Sequence, residues 1–295
     1  MIHSMIRLIK RWWVCIAYCV IAISVTIAVL PETRWNMNWI ETIFLNIVGG
    51  MLTVGLIAYG TYLKTKYSCF LFRNIFGSDL FSTDGLYLVY AELVLPSVYI
   101  HNGTSFVLDS YPYRKPGVEG VGFSIERPVS SCELRGAKYL SESISGETAK
   151  APLLASDNEV RGYLDISFIS FGGGASNYKS EDILTNDGNV FFVFGDGTIL
   201  SRRTNSPAIE IEGGFDYGLI MKIHPIQFPR RVWILCAGLG EWGSSGASWY
   251  LAHRWRDIQE FAGDRPFAII VRVRRDQDEY AEPILRIRDT GDATE

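Results

Sequence analysis

Two long apolar runs separated by a short polar turn make up the first quarter of the chain. Residues 12–30 contain no charged side chain, and residues 40–63 contain only Glu41, near their beginning. A bilayer core is crossed by about 20 apolar residues in a helix, and in lipid the backbone polar groups must be paired within the segment. The pattern predicts a transmembrane helical hairpin with a juxtamembrane connector over residues 1–74. Two buried core helices are the alternative.

Basic residues flank this hairpin unevenly. The turn between the two runs, residues 31–39, contains one basic residue, Arg34. The basic residues at the outer ends of the runs are Arg7, Lys10, Arg11, Lys64, Lys66 and Arg73. Because basic side chains concentrate on the cytoplasmic side of a membrane, we predict a multi-pass protein of the inner (cytoplasmic) membrane with both termini in the cytoplasm. A cleaved signal peptide would explain the first run but not the second.

Small and amide side chains interrupt the second apolar run at Asn46, Gly49, Gly50 and Thr53. Small residues let two helices approach closely, and an amide in lipid requires a partner on another helix. These residues either pack the two predicted helices together or line a helix interface or pore between several copies. Since two helices cannot enclose an aqueous path, a channel built from this chain requires a homo-oligomer.

After residue 74 the apolar runs shorten to the length of strands and alternate with helical stretches. The predicted strands are residues 85–95, 163–171, 189–194, 217–226, 231–237, 266–273 and 284–287, with short hairpin strands within 198–214. The predicted helices are residues 130–143, 178–184 and 247–261, with residues 144–160 and 238–246 as loops. Ser130 and Glu133 have the spacing of a capping box at the start of the first helix. This alternation predicts an α/β fold, a cytosolic Rossmann-like domain with a largely parallel sheet over residues 75–295.

The two predicted parts of the chain carry opposite charge. Residues 1–74 contain seven basic and two acidic side chains, whereas residues 75–295 contain 21 basic and 30 acidic ones. An acidic domain argues against binding of long DNA or RNA, which requires a basic surface, but a small nucleotide can still bind in a local pocket. The five cysteines show no CxxC spacing and the four histidines no HxH or HExxH pattern. We therefore predict no metal, disulfide framework or cofactor.

Two glycine-rich segments follow predicted strands and are the candidate ligand-binding sites. The first segment contains Gly172, Gly173, Gly174, Ser176 and Asn177. The second segment contains Gly238, Gly240, Trp242, Gly243, Ser244 and Ser245. In an α/β sheet ligands bind beyond the carboxyl ends of the strands, where glycines and helix N-termini can hold a phosphate. We predict a nucleotide or another phosphorylated ligand there. Neither segment matches GxGxxG or the P-loop, and a plain tight turn is the alternative for each.

Candidate catalytic groups are few. Residues 243–247 have the form of a nucleophile elbow, but the only later histidine, His253, lies within a predicted helix. Asp165, Glu181 and Asp182 could act as acid and base, yet their pattern is equally that of a strand residue and a solvated helix start. No catalytic residue is predicted, and the sequence favours a binding protein over an enzyme.

The order of these parts resembles that of bacterial anti-phage membrane effectors. The motifs that carry the resemblance are FGGGASN at residues 171–177 and CAGLGEWGSSGAS at residues 236–248. Both follow the predicted membrane hairpin in the sequence. The chain is similar in particular to Hailong-type channel effectors. In such systems a companion nucleotidyltransferase makes a nucleotide or short oligonucleotide, and a Rossmann-like sensor of the SLOG class, or a relative of it, binds that signal.

The resemblance implies a homo-oligomeric membrane effector or channel that is gated by such a ligand at the two glycine segments. Its partners would be the lipid bilayer, further copies of itself and the nucleotide or short oligonucleotide signal. The alternative is a membrane-anchored enzyme that acts on a nucleotide or a lipid-linked substrate.

Overall fold

The computed structural model divides the chain into two compact units, Met1–Phe70 and Leu71–Glu295. The predicted boundary at residue 74 lies close to this division. The described residues are 39–93, 98–101, 104–107, 111–112, 122–123, 128–195 and 197–289.

One long helix, α1 (Trp39–Phe76), contains the second predicted apolar run and continues beyond it. By length and composition its segment Asn46–Phe76 can cross a membrane. Large apolar side chains such as Met51 and Leu56 are more than two-thirds exposed. An apolar surface of this extent is characteristic of contact with lipid or another protein. The first apolar run, residues 12–30, lies outside the described residues, so the hairpin stays a prediction.

The second unit contains one central sheet and three small hairpins. The strands are β1 (Leu86–Tyr90), β2 (Val98–His101), β3 (Thr104–Val107), β4 (Tyr111–Pro112), β5 (Gly122–Phe123), β6 (Leu153–Ser156), β7 (Ser167–Phe171), β8 (Phe192–Gly195), β9 (Thr198–Ser201), β10 (Asp216–Ile223), β11 (Trp233–Gly238), β12 (Phe267–Val273) and β13 (Glu282–Arg288). The order in the central sheet is β13-β12-β10-β11-β7-β1-β6. Neighbours from β6 to β11 pair in parallel, and those from β11 to β13 pair antiparallel. Five of the seven strands, all except β10 and β13, therefore run in the same direction, so the sheet is mixed but mostly parallel, as predicted.

Four further helices pack on the sheet, and they separate into two layers. They are α2 (Ser131–Thr148), α3 (Tyr178–Thr185), α4 (Glu241–His253) and α5 (Trp255–Ala262). Leu140, Leu251 and Trp255 from α2, α4 and α5 share one core with Phe72 at the end of α1. The residues of α3 share the opposite core with the β8–β9 hairpin. Helices cover both faces of the sheet, which is the architecture of doubly wound α/β domains.

Strand residues alternate between these two cores, because successive side chains of a strand point to opposite faces. On β11, Ile234 and Cys236 face the core with α2 and α4, whereas Leu235 and Ala237 face the core with α3. The first helix after β1 is α2, on one face of the sheet, and the first helix after β7 is α3, on the other. The neighbouring strands β1 and β7 thus form a topological switch point.

The structure differs from the predicted elements in three main ways. The single helix predicted for residues 247–261 is two helices, α4 and α5, which are separated by Arg254. Strand β6 lies within residues 144–160, which were predicted as a loop, and it pairs with β1 at the edge of the sheet. Leu153 and Leu154 are exposed there, so no alternating pattern marks this strand. Helix α4 begins at Glu241 instead of residue 247, and its first turns contain the glycines that predicted a loop.

Candidate functional site

The carboxyl ends of β1, β7 and β11 lie side by side at one end of the sheet, where α2, α3 and α4 begin. A cleft of about 250 Å³ opens at these carboxyl ends. Six predicted ligand-binding residues line it, namely Gly172, Gly173, Ser176, Gly238, Gly240 and Ser244. The other lining residues are Leu93, Ser130, Cys132, Glu133 and Glu241. Both glycine segments therefore contribute to one cleft, together with the start of α2, which sequence analysis did not include.

The glycines of the first segment face carboxylates of the protein itself. Gly172 has a φ of +77°, and a Cβ atom there would collide with Oε1 of Glu133. A Cβ atom at Gly174 would collide with Oε2 of Glu181. Gly173 differs, because a Cβ atom at this position meets nothing within 4 Å. Of these three glycines, Gly173 is the one at which a bound molecule has room to approach the backbone.

Asn177, predicted to bind ligand, has a structural role instead of a place in the cleft lining. It is the N-cap of α3, and its Oδ1 accepts hydrogen bonds from the backbone N–H groups of Lys179 and Ser180. Its Nδ2 donates to the carbonyl oxygens of Val89 (3.2 Å) and Phe171 (2.9 Å). These four bonds use both donor positions and both acceptor positions of the buried amide. They join the start of α3 to the ends of β1 and β7.

The carboxylate of Asp216 caps the N-terminus of α4. Its Oδ1 accepts from the N–H of Gly240 (2.9 Å), and its Oδ2 accepts from the N–H of Gly243 (2.7 Å). A Cβ atom at Gly240 would lie 2.7 Å from Oδ2 of Asp216. Free N–H groups at a helix N-terminus are ordinarily available to an anion. Here a side chain of the protein already occupies two of them.

Gly243 allows α4 to lie directly on the sheet. A Cβ atom at Gly243 would collide with the carbonyl oxygen of Tyr217 on β10, and one at Gly246 would lie 3.0 Å from Val273 on β12. Because α4 lies so close to the sheet, there is no room for larger side chains at these two positions. This packing explains Gly243, which the sequence pattern assigned to ligand binding.

Glu133 is a buried carboxyl of the cleft, with 5% of its surface exposed. Its spacing from Ser130 predicted a capping box. In the structure Ser130 caps α2 by accepting from the N–H of Cys132 (3.3 Å), whereas Oε2 of Glu133 accepts from the N–H of Ala91 (2.7 Å). Burial raises the pKa of Glu133 to about 7, with a smaller contribution from the negative charge of Asp157, and the Ala91 bond opposes this rise. At neutral pH this carboxyl exchanges between its protonated and ionised forms.

A polar network beside the cleft contains Trp242 and Ser245, which were also predicted to bind ligand. The guanidinium of Arg135 lies 4.1 Å from the ring centre of Trp242, and its Nη2 donates to Oγ of Ser245 (3.2 Å). The Ser245 hydroxyl donates to Asp278 (2.7 Å), which also lies 3.4 Å from Nε of Arg135. These contacts join α2 to α4, and neither Trp242 nor Ser245 lines the cleft.

A thiol and a hydroxyl line the cleft as candidate nucleophiles. Burial is the main cause that raises the pKa of the Cys132 thiol, and the neighbouring Glu241 raises it further, so the neutral thiol predominates at neutral pH and donates to Glu241 (3.5 Å). The hydroxyl of Ser244 accepts from the N–H of Gly238 (2.8 Å). No histidine belongs to the described residues that line the cleft, so neither group has an imidazole base to activate it.

The ionisable carboxyls of the cleft lining are Glu133 and Glu241, and no lysine or arginine belongs to the described residues that line it. Within the described ranges no group of three or more His, Cys, Asp and Glu side chains could hold a metal ion. The lining therefore offers hydrogen-bond acceptors and negative charge to a bound molecule.

The predicted interface or pore residues lie on α1. The hydroxyl of Thr53 donates to the carbonyl oxygen of Gly49 (2.9 Å) within the helix. A Cβ atom at Gly49 would meet nothing within 4 Å. The Nδ2 atom of Asn46 is buried and has no hydrogen-bond partner among the described residues. A buried amide donor without a partner costs free energy.

Comparison of the chain with protein-family models, with curated proteins and with solved structures finds no match.

Proposed function

We propose that the protein is a homo-oligomeric membrane effector whose α/β domain binds a nucleotide or short oligonucleotide and thereby controls the state of a membrane assembly. This is the function implied by the resemblance to anti-phage effectors of the Hailong type. The observation that carries the proposal is the cleft at the switch point between β1 and β7, in a chain that also contains the apolar helix α1. Ligands of open α/β sheets bind at such switch points, beyond the carboxyl ends of the strands.

The membrane part of the proposal rests on α1. Its apolar surface fits a lipid environment, and the unpaired amide donor of Asn46 would gain a partner when helices associate. A ligand shifts an equilibrium between two assemblies only through its different affinity for the two. The proposal therefore requires that the cleft binds ligand more tightly in one state of the assembly than in the other.

A second candidate function is a membrane-anchored enzyme that acts on a nucleotide. Glu133 supports it, because a buried carboxyl with a pKa of about 7 in a cleft has the property of a general acid or base. The binding function is preferred because the Cys132 thiol stays protonated at neutral pH and no histidine belongs to the described residues that line the cleft. The two functions differ in the fate of the bound molecule, which an enzyme converts and a sensor releases unchanged.

The test begins with full-length protein purified in detergent, from which bound small molecules are released by denaturation and identified by mass spectrometry. The protein is then reconstituted in dye-loaded liposomes, and the identified compound is added. We expect the compound to change dye leakage and to be recovered intact. Recovery of a converted product would favour the enzyme, and unchanged leakage would contradict the effector function.

Gly173→Asp and Gly162→Asp are the variants for this test. A side chain at residue 173 enters the open space at the cleft and adds both volume and negative charge, so the response to ligand should be lost. Gly162 also lies in a turn with nothing within 4 Å of a Cβ atom, but it does not line the cleft. Gly162→Asp should therefore respond as the wild type does.

A further inference from the structure

We infer that the cleft recognises the nucleoside part of its ligand through hydroxyl and amino groups that donate hydrogen bonds to Glu133 and Glu241, and that phosphates stay outside the cleft. The inference rests on the proposed function and concerns the same site. It reverses the expectation that the two glycine segments hold a phosphate.

Carboxylates of the protein occupy the positions that a phosphate would need in both segments. Glu133 lies against Gly172, and Asp216 lies against Gly240 while it accepts two N–H groups at the start of α4. A phosphate at either position would replace the carboxylate or come close to it. Like charges in a partly buried site repel strongly, so this part of the site disfavours an anion.

Glu133 has an acceptor that is free to bind a ligand. Its side chain is more than nine-tenths buried and lines the cleft. The N–H of Ala91 engages Oε2, whereas Oε1 has no hydrogen-bond partner among the described residues. A ligand hydroxyl or amino group in the cleft can therefore donate to Oε1.

Glu241 supplies a second carboxylate to the same cleft. It is the first residue of α4, and its Oε2 accepts from the thiol of Cys132. Two carboxylates with free acceptor positions suit paired donors, such as the two neighbouring hydroxyls of a ribose or the exocyclic amino group of a base. Nothing lies within 4 Å of a Cβ atom at Gly173, so the base or the sugar has room to lie against the cleft wall there.

The size of the cleft agrees with a single nucleoside. Its volume of about 250 Å³ lies just below the roughly 300–1,000 Å³ of sites for drug-sized ligands. A dinucleotide would not be enclosed. The remaining phosphates or nucleotides of a longer signal would extend from the cleft opening.

The experiment compares two kinds of probe on the full-length protein in detergent by isothermal titration calorimetry. The probes are the four ribonucleosides adenosine, guanosine, cytidine and uridine, and inorganic pyrophosphate. We expect at least one ribonucleoside to bind and pyrophosphate not to bind at millimolar concentration. Glu133→Gln and Glu241→Gln should each weaken nucleoside binding roughly 10-fold to 100-fold, because a neutral amide oxygen is a weaker acceptor than a carboxylate.

The direction in which the two Glu→Gln substitutions change binding tests the inference. If phosphate occupied the cleft, removal of a negative charge would strengthen binding, and pyrophosphate binding that increases in Glu133→Gln or Glu241→Gln would overturn the inference. Failure of all four ribonucleosides to bind would overturn it as well. Glu181→Gln is the matched control, because Glu181 lies against Gly174 of the same segment but does not line the cleft.

The inference and the proposed function fail in different ways. A nucleoside that binds in the cleft without any effect on liposome leakage would contradict the effector function and leave the inference intact. Pyrophosphate that binds in the cleft and changes leakage would contradict the inference and support the effector function.

Discussion

The ammonium group of Lys222 lies 2.5 Å from the carbonyl oxygen of Asn74, in the last turn of α1. It also donates to the carbonyl oxygen of Asp264 (2.7 Å). Lys222 is fully buried on β10, and burial lowers its pKa to about 8. The last carbonyl groups of a helix lack partners within the helix and carry partial negative charge. A buried cation of the sheet therefore caps the end of α1.

The first prediction concerns Lys222→Met and pH. The folded pKa of about 8 is lower than the value of about 10.4 in an unfolded chain, so the unfolded state binds more protons between these pH values. The Lys222 contribution to the free energy of unfolding should therefore rise from pH 8 to pH 10, by up to about 3 kcal/mol. Lys222→Met should lose this rise in denaturant unfolding followed by tryptophan fluorescence.

Lys138→Met is the control for Lys222→Met, because Lys138 is a lysine of α2 whose side chain is 69% exposed. This variant should keep the pH dependence of the wild type. An unchanged slope between pH 8 and pH 10 in Lys222→Met would show that the ammonium group is not buried as described.

The second prediction concerns Glu133→Gln and a contribution to stability that falls as the pH rises. The folded pKa of about 7 is higher than the ordinary glutamate pKa of 4.5, so the folded state binds more protons between these values. Stability from this group is fully present below about pH 4.5 and is lost as the pH rises through 7. Glu133→Gln keeps an oxygen for the N–H of Ala91 and should be more stable than the wild type at pH 8, by up to about 3 kcal/mol.

The two proteins should have similar stability at pH 4.5, where Glu133 is protonated in the folded state. Equal unfolding free energies at pH 8 would contradict the assigned burial of the carboxyl. Glu181→Gln removes an exposed carboxylate from the start of α3 and should leave this pH dependence unchanged.

The third prediction compares two helical glycines. Gly243→Ala places a methyl group against the carbonyl oxygen of Tyr217 and should destabilise the protein by about 1–3 kcal/mol or more, because α4 must move away from the sheet. Gly146 lies on α2 with nothing within 4 Å of a Cβ atom. Gly146→Ala should leave stability unchanged or raise it by up to about 1 kcal/mol. Thermal unfolding measures both, and equal effects would refute the close contact between α4 and β10.

The fourth prediction concerns assembly through α1. Asn46→Leu removes the amide donor that has no partner among the described residues, and it should weaken self-association in detergent by about 0.5–2 kcal/mol. Thr61→Ala is the control, because the hydroxyl of Thr61 already donates to the carbonyl oxygen of Ile57 in the same helix. Cross-linking over a range of concentrations should show wild-type species larger than a dimer. A wild type that stays monomeric would exclude the oligomeric effector.

The fifth prediction concerns membrane orientation, which rests on the basic residues at the outer ends of the two predicted membrane runs. A reporter that is active only in the cytoplasm, fused after residue 295, should be active. The same fusion with a reporter that requires the periplasm should be inactive. A periplasmic signal would place the α/β domain away from any cytoplasmic nucleotide and would contradict the proposed function.

Local pattern was sufficient for several elements of the fold. The run that contains β7 predicted a strand, and apolar residues without a polar face occur where both sides of a sheet are covered. The same holds for β11 and β12, all three of which lie in predicted strands. The apolar length of residues 40–63 predicted a helix able to cross a membrane, since the length of such a run is itself the physical requirement.

The order of the strands decided what the glycine segments do. In sequence, Gly172 and Gly240 follow buried strands and are compatible with a phosphate site or with a tight turn. In the structure, Glu133 lies beside Gly172 because α2 begins next to β7. Asp216 lies beside Gly240 because β10 pairs with β11. Hydrophobic periodicity encodes which face of an element is buried, but it does not encode which elements become neighbours. The sequence by itself therefore determined the elements and the end of the sheet where the cleft lies, and only the tertiary structure decided that carboxylates line this cleft.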